Sequence, residues 1–585
     1  MASVPVLCSP SGRGWLSERV REEGVARLVV AGCSPLEHEA TFREVLAGAG
    51  ADPWLLQMVN LREQGEWVGG DPRDGTDRAR ALVRAALARV RLHEPIPRRE
   101  VQVRTEVVVV GSGPAGLSAA LTLARRGRPV ILVEREHALG GRAYLLDEVF
   151  PGGECASCLL APALDEVLHH PAVEVWTGTE VAALQGSAGN FSVRLRRSPR
   201  RVDPAACLGC GGCAELCPVE VADEDGLGHR HAVGLPHPGA LPNAARVGES
   251  CLHLRGGDCT NCADACPVGA IHLDEAPAEW TVRCGAVVVA IGQAPPAPPA
   301  APSVLSAWQL ERMLHPGGPT RGALSRGGGA TPRSILLAPA PGVKDGLWPE
   351  ELAKLALLLR RRYPDVEVAV AGGLDATPLH AELALALRRA GVRLVAGSAD
   401  APSSPGAPGG AGKADLLVLW ETPRPSPGAA ELRAALRLGA GEDGFLEDHS
   451  SPFHPTASRV AGVYVAGAAG GPRRIPEAIR DGAAAAGQVL STLDPGAKLA
   501  LEPLAAVLDP ERCCACGLCA AACPAGAVVQ GQGAPRVEAS LCRGCGSCAA
   551  ACPGGALSAP HFTSEQIAQE ISGLLRPRAE PERRK

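Results

Sequence analysis

Val107-Val108-Val109-Val110-Gly111-Ser112-Gly113-Pro114-Ala115-Gly116 decides the fold. A run of β-branched residues reads as a short buried strand, and the glycines that follow at once read as a tight turn into a helix. Leu117 to Arg126 continues that helix and Gly127 stops it. Val130 to Val133 is the next strand, ending at Glu134. Strand, G-x-G-x-x-G turn, helix, strand and terminal acid make a complete βαβ dinucleotide fingerprint. Gly111 permits the turn, Gly113 lets the backbone approach a pyrophosphate, and Gly116 permits close helix–strand packing. Pro114 and Ala115 open the helix whose N-terminus takes the phosphate charge. Glu134 is placed to accept from a ribose hydroxyl. A bare glycine triplet would carry little; both strands, the helix and the acid together carry much.

Later segments favour FAD over NAD, by resemblance to two-dinucleotide flavoproteins. Gly140-Gly141-Arg142 follows the second strand, as a flavin-contacting Gly-Gly does there. Val287-Val288-Val289-Ala290-Ile291-Gly292 resembles their returning strand and its turn. Gly462-Val463-Tyr464-Val465-Ala466-Gly467 resembles their second flavin motif. That motif usually continues with Asp, whereas Ala468 stands here. The helix Ile475 to Leu490 is expected to aim its N-terminus at the flavin. The plainer alternative, a Rossmann-like domain binding NAD or nothing, does not account for these returns in this order.

The second chemistry lies in cysteine. Sixteen of the 22 cysteines fall into four sets, each closing on Cys-Pro. Cys207, Cys210, Cys213, Cys217 is a C-x2-C-x2-C-x3-C-P run, as are Cys513, Cys516, Cys519, Cys523 and Cys542, Cys545, Cys548, Cys552. The remaining set is looser, with Cys251 well ahead of Cys259, Cys262, Cys266. This is the ligand spacing of 4Fe–4S clusters in bacterial-type ferredoxins, where the fourth cysteine serves the partner cluster. Crossed ligation is therefore expected. Cys207, Cys210, Cys213 take Cys266, and Cys251, Cys259, Cys262 take Cys217. Cys513, Cys516, Cys519 take Cys552, and Cys542, Cys545, Cys548 take Cys523. Zinc ribbons use paired C-x2-C units without the third step or the closing Cys-Pro. Disulfide scaffolding needs an oxidising compartment, for which the sequence offers no export signal. Four clusters and one FAD are the expected cofactors.

Composition narrows the class. At 585 residues the chain accommodates several domains, and its net charge of -5 and 3% aromatic content argue against nucleic acid as a partner. Met1 to Gly24 has no apolar core of a secretory signal, and Leu7-Cys8 matches a lipoprotein site poorly. No run of eighteen apolar residues occurs, so no membrane span is expected. A cytoplasmic location follows, where thiols stay reduced for iron.

The expected fold is α/β: an FAD-binding, Rossmann-like flavoprotein of two-dinucleotide type, with inserted and C-terminal two-cluster ferredoxin-like (α+β) domains. Residues 1–100 form an N-terminal α/β domain, with a strand at Ala26 to Ala31 and a helix near Leu82 to Arg91. The FAD domain occupies 101–200, resumes with a linker over 276–332 and closes over 414–495, while 201–275 is the inserted ferredoxin-like domain. Gln293 to Pro302, Arg321 to Pro332 and Ala401 to Gly412 read as Pro- or Gly-rich linkers. A second α/β unit spans 333–413, with strands Ser334 to Leu337, Val366 to Ala371 and Val392 to Ala396. Its first turn, Ala338-Pro339-Ala340-Pro341-Gly342, lacks the glycine pattern, and its prolines remove amide donors. No direct NAD(P)H binding is expected there. The C-terminal ferredoxin domain fills 505–560, and a tail with a helix from Ser564 to Leu575 fills 561–585.

This combination resembles the heterodisulfide reductase A-subunit family. The resemblance includes Ala31-Gly32-Cys33-Ser34-Pro35 with His38-Glu39, and Met58-Val59-Asn60-Leu61-Arg62-Glu63-Gln64. It continues through Phe150-Pro151 with Cys155 and Cys158, Gly189-Asn190-Phe191, Val202-Asp203, Leu310-Glu311-Arg312-Met313-Leu314 and His561-Phe562-Thr563. It implies an FAD and iron–sulfur oxidoreductase subunit that passes electrons between flavin and clusters. Its implied partners are other redox subunits: heterodisulfide-reductase-like, hydrogenase or dehydrogenase subunits, and ferredoxin. A homodimer within a larger complex is an open alternative, as is electron bifurcation. The competing function is a stand-alone NAD(P)H:ferredoxin-type oxidoreductase, similar to the small subunit of glutamate synthase; a third reading is a cluster wire with an empty flavin site. Departures from the family are expected to matter. Members usually begin with an upstream segment carrying another cysteine, and this chain is expected to start after it. The cysteine following Arg-Glu-Gln is Gly65 here, so residues 1–100 are expected to hold no cluster.

Cys155-Ala156-Ser157-Cys158 reads as a redox-active dithiol near the flavin, as part of an extra cluster with outside ligands, or as a structural pair. Cys284 and Cys514 read as inert, and Cys8 and Cys33 as local packing.

Overall fold

The structure is a computed structural model. It describes residues 3–575 apart from 70, 97–99, 151, 300, 302, 326–328, 344, 375–379, 396–413, 448–454, 497, 501–503 and 540. The expected linker Ala401 to Gly412, together with Pro151 and Ala396, lies outside the described residues. The chain divides into two compact units, 102–497 and 1–101 with 498–585.

In the larger unit, Val107–Val110 is the middle strand of a five-stranded parallel sheet. Its neighbours are Val130–Val133 and Ala286–Val289, and the edges are Val173–Trp176 and Val463–Val465. Val107, Val108 and Val109 are wholly buried, as strands covered on both faces require. One face is covered by the helices Pro114–Ala124, Ala156–His169 and Ile475–Thr492. The other is covered by an antiparallel meander of Thr179–Ser187, Asn190–Arg197 and Ala278–Cys284. The ferredoxin-like insertion springs from the hairpin between the last two strands. Their register closes on Arg197 opposite Ala278, so the chain leaves and re-enters at one point.

The second α/β unit has its own five-stranded parallel sheet, in the order Val304–Ser306, Leu416–Trp420, Ser334–Pro339, Glu367–Ala371, Arg393–Val395. Here the structure differs from the sequence-based boundaries at 333 and 413. Val304–Ser306 and Leu416–Trp420 belong to this sheet, not to the flavin domain. Both are short and follow Pro- or Gly-rich stretches, and only long-range pairing assigns them.

The smaller unit contains the helices Pro10–Glu22, Pro35–Gly48 and Pro72–Val90 around the parallel pair Leu28–Gly32 and Leu56–Asn60. The last of these helices begins a decade earlier than expected, because Asp71 caps Arg73 and Pro72 occupies the first turn. Its partner is the C-terminal helix Ser564–Leu575. The two approach closely at Gly573, where a Cβ would stand 2.6 Å from the Ala85 Cα. Among the described residues no helix is long and apolar enough to cross a membrane.

Candidate flavin and iron–sulfur sites

Glycine geometry builds the nucleotide loop. Gly111 has a left-handed φ of 103°, and a Cβ there would meet the Ala290 carbonyl at 2.3 Å. At Gly116 a Cβ would overlap the Gly111 carbonyl oxygen at 1.8 Å. Gly113 differs: its φ is an ordinary -72°, and a Cβ there would meet nothing within 4 Å. Nothing within the described residues crowds a side chain at that position. Gly113 caps the helix Pro114–Ala124 without a side-chain acceptor, which leaves the first-turn amides without a side-chain cap.

The other predicted flavin residues converge on this loop. Gly141 comes within 3.2 Å of the Gly113 Cα by its absent Cβ, and a Cβ on Gly467 would stand 2.7 Å from that of Ala115. Arg142 Nη1 donates to the Gln293 carbonyl (2.8 Å), next to Gly292 with its φ of 68°. Burial pulls the Arg142 guanidinium below its usual range. The helix Ile475–Thr492 packs on the fingerprint helix through Gly482, where a Cβ would lie 2.1 Å from the Ala115 carbonyl. Glu134 ends its strand as expected and is buried. Its Oε2 accepts from Ser112 N (2.8 Å) and Ser112 Oγ (2.6 Å), and its Oε1 from Glu136 N (2.8 Å). Burial raises its pKa, and these donors oppose the rise. The sequence reading missed Ser112. Its hydroxyl also accepts from Gly140 N (3.2 Å), joining loop, acid and Gly-Gly motif. It stands at a variable position of the fingerprint, so no sequence signal marks it.

The ferredoxin-like cysteines meet across runs. In the insertion one cavity is lined by Cys207, Cys210, Cys213 and Cys266. A second is lined by Cys217, Cys251, Cys259 and Cys262. These are the two crossed sets. In the C-terminal domain Cys548 faces Cys542, Cys523 and Cys545, and Cys519 faces Cys513 and Cys516. Burial and neighbouring thiols raise the pKa of Cys548 and Cys519, and that of Cys262 to about 11. A cluster reverses this cost, since iron takes the thiolate. Amides also point at the sulfurs: Ala506 N at Cys542 (3.3 Å) and Ala515 N at Cys513 (3.4 Å), the latter with Ala515 in the left-handed region. Among the described residues no three His, Cys, Asp or Glu side chains converge as tightly as a single metal ion requires. A cubane with four irons holds its thiolates farther apart. Thiol-lined cavities fed by two runs fit such a group.

Cys155 and Cys158 are both exposed, at the start of the helix Ala156–His169. Cys155 is its N-cap, with Sγ 3.1 Å from Ser157 Oγ and 3.5 Å from Cys158 N. These hydrogen bonds lower the Cys155 pKa, and the bond from Cys155 raises that of Cys158. Tyr144 links the pair to the flavin loop: it packs on Gly140, and its phenol is raised by burial and then by the two thiols. Cys284 is fully buried, and burial pushes it up to about 12. Cys8 packs on the N-terminal core.

Comparison with known proteins points to the same two classes of cofactor. The FAD dependent oxidoreductase family matches residues 106–144, and the 4Fe-4S dicluster domain matches residues 505–553. Fold and matches together define an FAD- and 4Fe–4S-binding oxidoreductase. The A subunit of the H(2):CoB-CoM heterodisulfide,ferredoxin reductase of Methanothermobacter marburgensis is 33% identical, over 97% of this chain and 91% of its own. The second iron-sulfur A subunit of the CoB--CoM heterodisulfide reductase of Methanopyrus kandleri is 34% identical, over 89% of this chain and 85% of its own. Thioredoxin reductase of T. acidophilum matches 66% of this chain and 98% of its own, at 14% identity and a TM-score of 0.36. The chain belongs to the heterodisulfide reductase A-subunit family, and it is an electron-transfer oxidoreductase subunit.

Proposed function

We propose that this chain carries one FAD and four 4Fe–4S clusters, and that the flavin is the junction between two-electron and one-electron transfer. Bound FAD supplies chemistry that clusters lack, since it exchanges electrons singly or in pairs. The chain's own residues do the rest. Gly111 and Pro114 shape the turn and the start of the helix, Gly113, Ala115 and Gly116 present amides to the pyrophosphate, and Glu134 takes the ribose. Gly140, Gly141, Arg142, Gly292 and Gly467 enclose the ring system. The sixteen cysteines hold the clusters in crossed sets. The partners are other redox subunits or ferredoxin in a reducing cytoplasm. The observation that carries this reading is the pair of cavities, each walled by thiols from both runs of the insertion. Iron, sulfide and flavin assays on protein reconstituted without oxygen test it. About sixteen irons and one FAD per chain are expected from four cubanes; iron near eight would remove one ferredoxin domain.

Cys155 and Cys158 act in this reading as a thiol–disulfide pair beside the flavin, with Cys155 the thiolate favoured by its cap position. Splitting an electron pair between strong and weak acceptors is the finer form of the proposal; simultaneous reduction of two such acceptors by one donor would establish it.

The NAD(P)H:ferredoxin reading is disfavoured by the second sheet. At its carboxyl edge Asp345 accepts from Trp420 Nε1 (3.1 Å), Thr422 Oγ1 (2.7 Å) and Leu347 N (3.1 Å). The Trp348 ring fills the space over Gly372. An acid and an indole occupy the crevice where a pyrophosphate would bind. Anaerobic mixing with NADH or NADPH is expected to leave the flavin of the isolated chain oxidised.

A further inference from the structure

Three of the four cysteine sets close with the same five residues, Cys-Pro-x-Gly-Ala. They are Cys266-Pro267-Val268-Gly269-Ala270, Cys523-Pro524-Ala525-Gly526-Ala527 and Cys552-Pro553-Gly554-Gly555-Ala556. In each, the fourth residue is left-handed, with φ of 60° at Gly269, 57° at Gly526 and 58° at Gly555. That turn swings the following amide onto the cysteine sulfur. Ala270 N lies 3.3 Å from Cys266 Sγ, Ala527 N 3.2 Å from Cys523 Sγ, and Ala556 N 3.2 Å from Cys552 Sγ.

The remaining set reads Cys217-Pro218-Val219-Glu220-Val221. Glu220 replaces the glycine and is not left-handed. It opens the strand Glu220–Ala222, paired with His229–His231. The chain therefore runs straight on, and no amide among the described residues donates to Cys217 Sγ. The Cys217 thiol instead donates to the Val219 carbonyl at 3.7 Å. A cluster-bound sulfur has no proton to give, so it would face the negative end of that carbonyl dipole. Amide donors to cluster sulfurs favour the more negative, reduced cluster. A carbonyl oxygen opposes it.

We infer that the cluster held by Cys251, Cys259, Cys262 and Cys217 is the lower-potential member of the inserted pair, because Cys217 alone lacks the closing amide donor; this rests on the crossed four-cluster reading above. The other cavity of the insertion leans the opposite way. Arg200, a fixed cation, faces Cys207, and its Nη2 donates to the His137 carbonyl in the flavin domain (2.6 Å). The cavity of Cys207, Cys210, Cys213 and Cys266 is thus tied to the flavin side. An electron shared by the pair rests there, so the insertion slopes toward the flavin.

The test is a potentiometric titration followed by electron paramagnetic resonance, on the full chain reconstituted anaerobically. Wild type, Glu220→Gly/Val221→Ala and Gly269→Glu are compared, with iron and sulfide counted in each. The first variant recreates the Gly-Ala closure and is expected to raise the lowest midpoint of the inserted pair. The second removes it from Cys266 and is expected to lower the partner's. The size expected is about tenfold in the reduced-to-oxidised ratio at fixed potential, or about 59 mV for a one-electron couple. Iron near eight in wild type overturns the four-cluster reading and this inference with it. Full iron with both variants leaving every midpoint in place, or with the inserted pair titrating as equals, overturns this inference alone.

Discussion

At the scale of single residues, the glycines of the fingerprint separate into two kinds that the sequence writes identically. Gly116 is glycine because the chain itself leaves no room: a Cβ would stand 1.8 Å from the Gly111 carbonyl oxygen. Gly113 is glycine although the chain leaves all the room a methyl needs. Gly116→Ala is therefore expected to destabilise the fold by about 3 kcal/mol through overpacking, seen as a lowered midpoint of denaturant unfolding. Gly113→Ala is expected to leave that midpoint within about 0.5 kcal/mol while the purified protein loses its flavin absorbance. Equal behaviour of the two would deny the difference between a packing and a ligand glycine. The motif singles out these glycines because turn chemistry is local. It could not predict Ser112, whose hydroxyl bridges Glu134 Oε2 and Gly140 N over 22 and 28 residues of sequence.

At the scale of elements, local pattern located strands and helices better than it located their allegiance. The helix Ser564–Leu575 was legible to the residue, since a polar Ser-Glu-Gln start precedes regularly spaced Ile and Leu. That it docks on the helix Pro72–Val90 was not legible, because the contact joins residues far apart in sequence. Arg89 makes the joint: its Nη1 pairs with Glu570 Oε2 (2.8 Å), its Nη2 donates to the His561 carbonyl (2.8 Å), and its guanidinium lies over the Phe562 ring. Arg89→Ala is expected to cost roughly 3 kcal/mol, since it strips a buried carbonyl and a carboxylate of their donor. Faster proteolytic release of the C-terminal helix would report it. Beside it His93 is buried and stacks on His561 with ring centroids 4.1 Å apart. Among the described residues neither His93 ring nitrogen meets full hydrogen-bond geometry, although the nearby Trp54 backbone works to raise its pKa. Burial, then His561, then Arg89 and Arg27 hold the His93 pKa down to about 3. Burial likewise lowers His561, with Arg89 and Arg43 adding to the fall and the Glu94 carbonyl and Asp52 opposing it. A group depressed on folding contributes stability that is complete above its unfolded pKa, near 6.5, and is lost as pH falls from there towards about 3. At pH 5 the loss from His93 is roughly 2 kcal/mol. His93→Phe, which keeps the ring contact, is expected to flatten that part of the stability-against-pH curve; an unchanged curve would contradict it.

At the scale of the whole chain, the parts of the larger unit are joined by a few buried polar residues that no motif announces. The segment Leu310-Glu311-Arg312-Met313-Leu314, legible only as a family likeness, lies in the buried helix Ala307–Leu314. Glu311 pairs with Lys354 of the second sheet domain (3.1 Å) and accepts from Asp147 N of the flavin domain (2.8 Å). Arg312 donates from Nη1 to the Leu145 carbonyl (2.8 Å) and from Nε to Asp225 Oδ2 of the insertion (3.0 Å). Such charged residues in the middle of an apolar stretch read, from sequence, as a solvated helix face. Tertiary pairing overrides that, and pairing partners 43 to 167 residues away cannot be inferred from spacing. Asp225 is the insertion's share of this network. It also accepts from Trp308 Nε1 (2.7 Å), and its carbonyl accepts from Gln309 Nε2 (2.9 Å). Asp225→Ala leaves the Arg312 guanidinium buried with one partner fewer, at a cost of roughly 3 kcal/mol. The ligand cysteines are untouched, so iron content is expected to hold. The loss falls on Arg312 and, through the Leu145 carbonyl, on the segment that follows Gly140-Gly141-Arg142. Flavin is therefore expected to dissociate faster on dilution, and the insertion to be cut sooner by protease, while Asp225→Asn, which keeps one acceptor in place, falls between the variant and wild type. A variant that loses iron but keeps its flavin would place Asp225 in the cluster domain's own stability and not in its attachment.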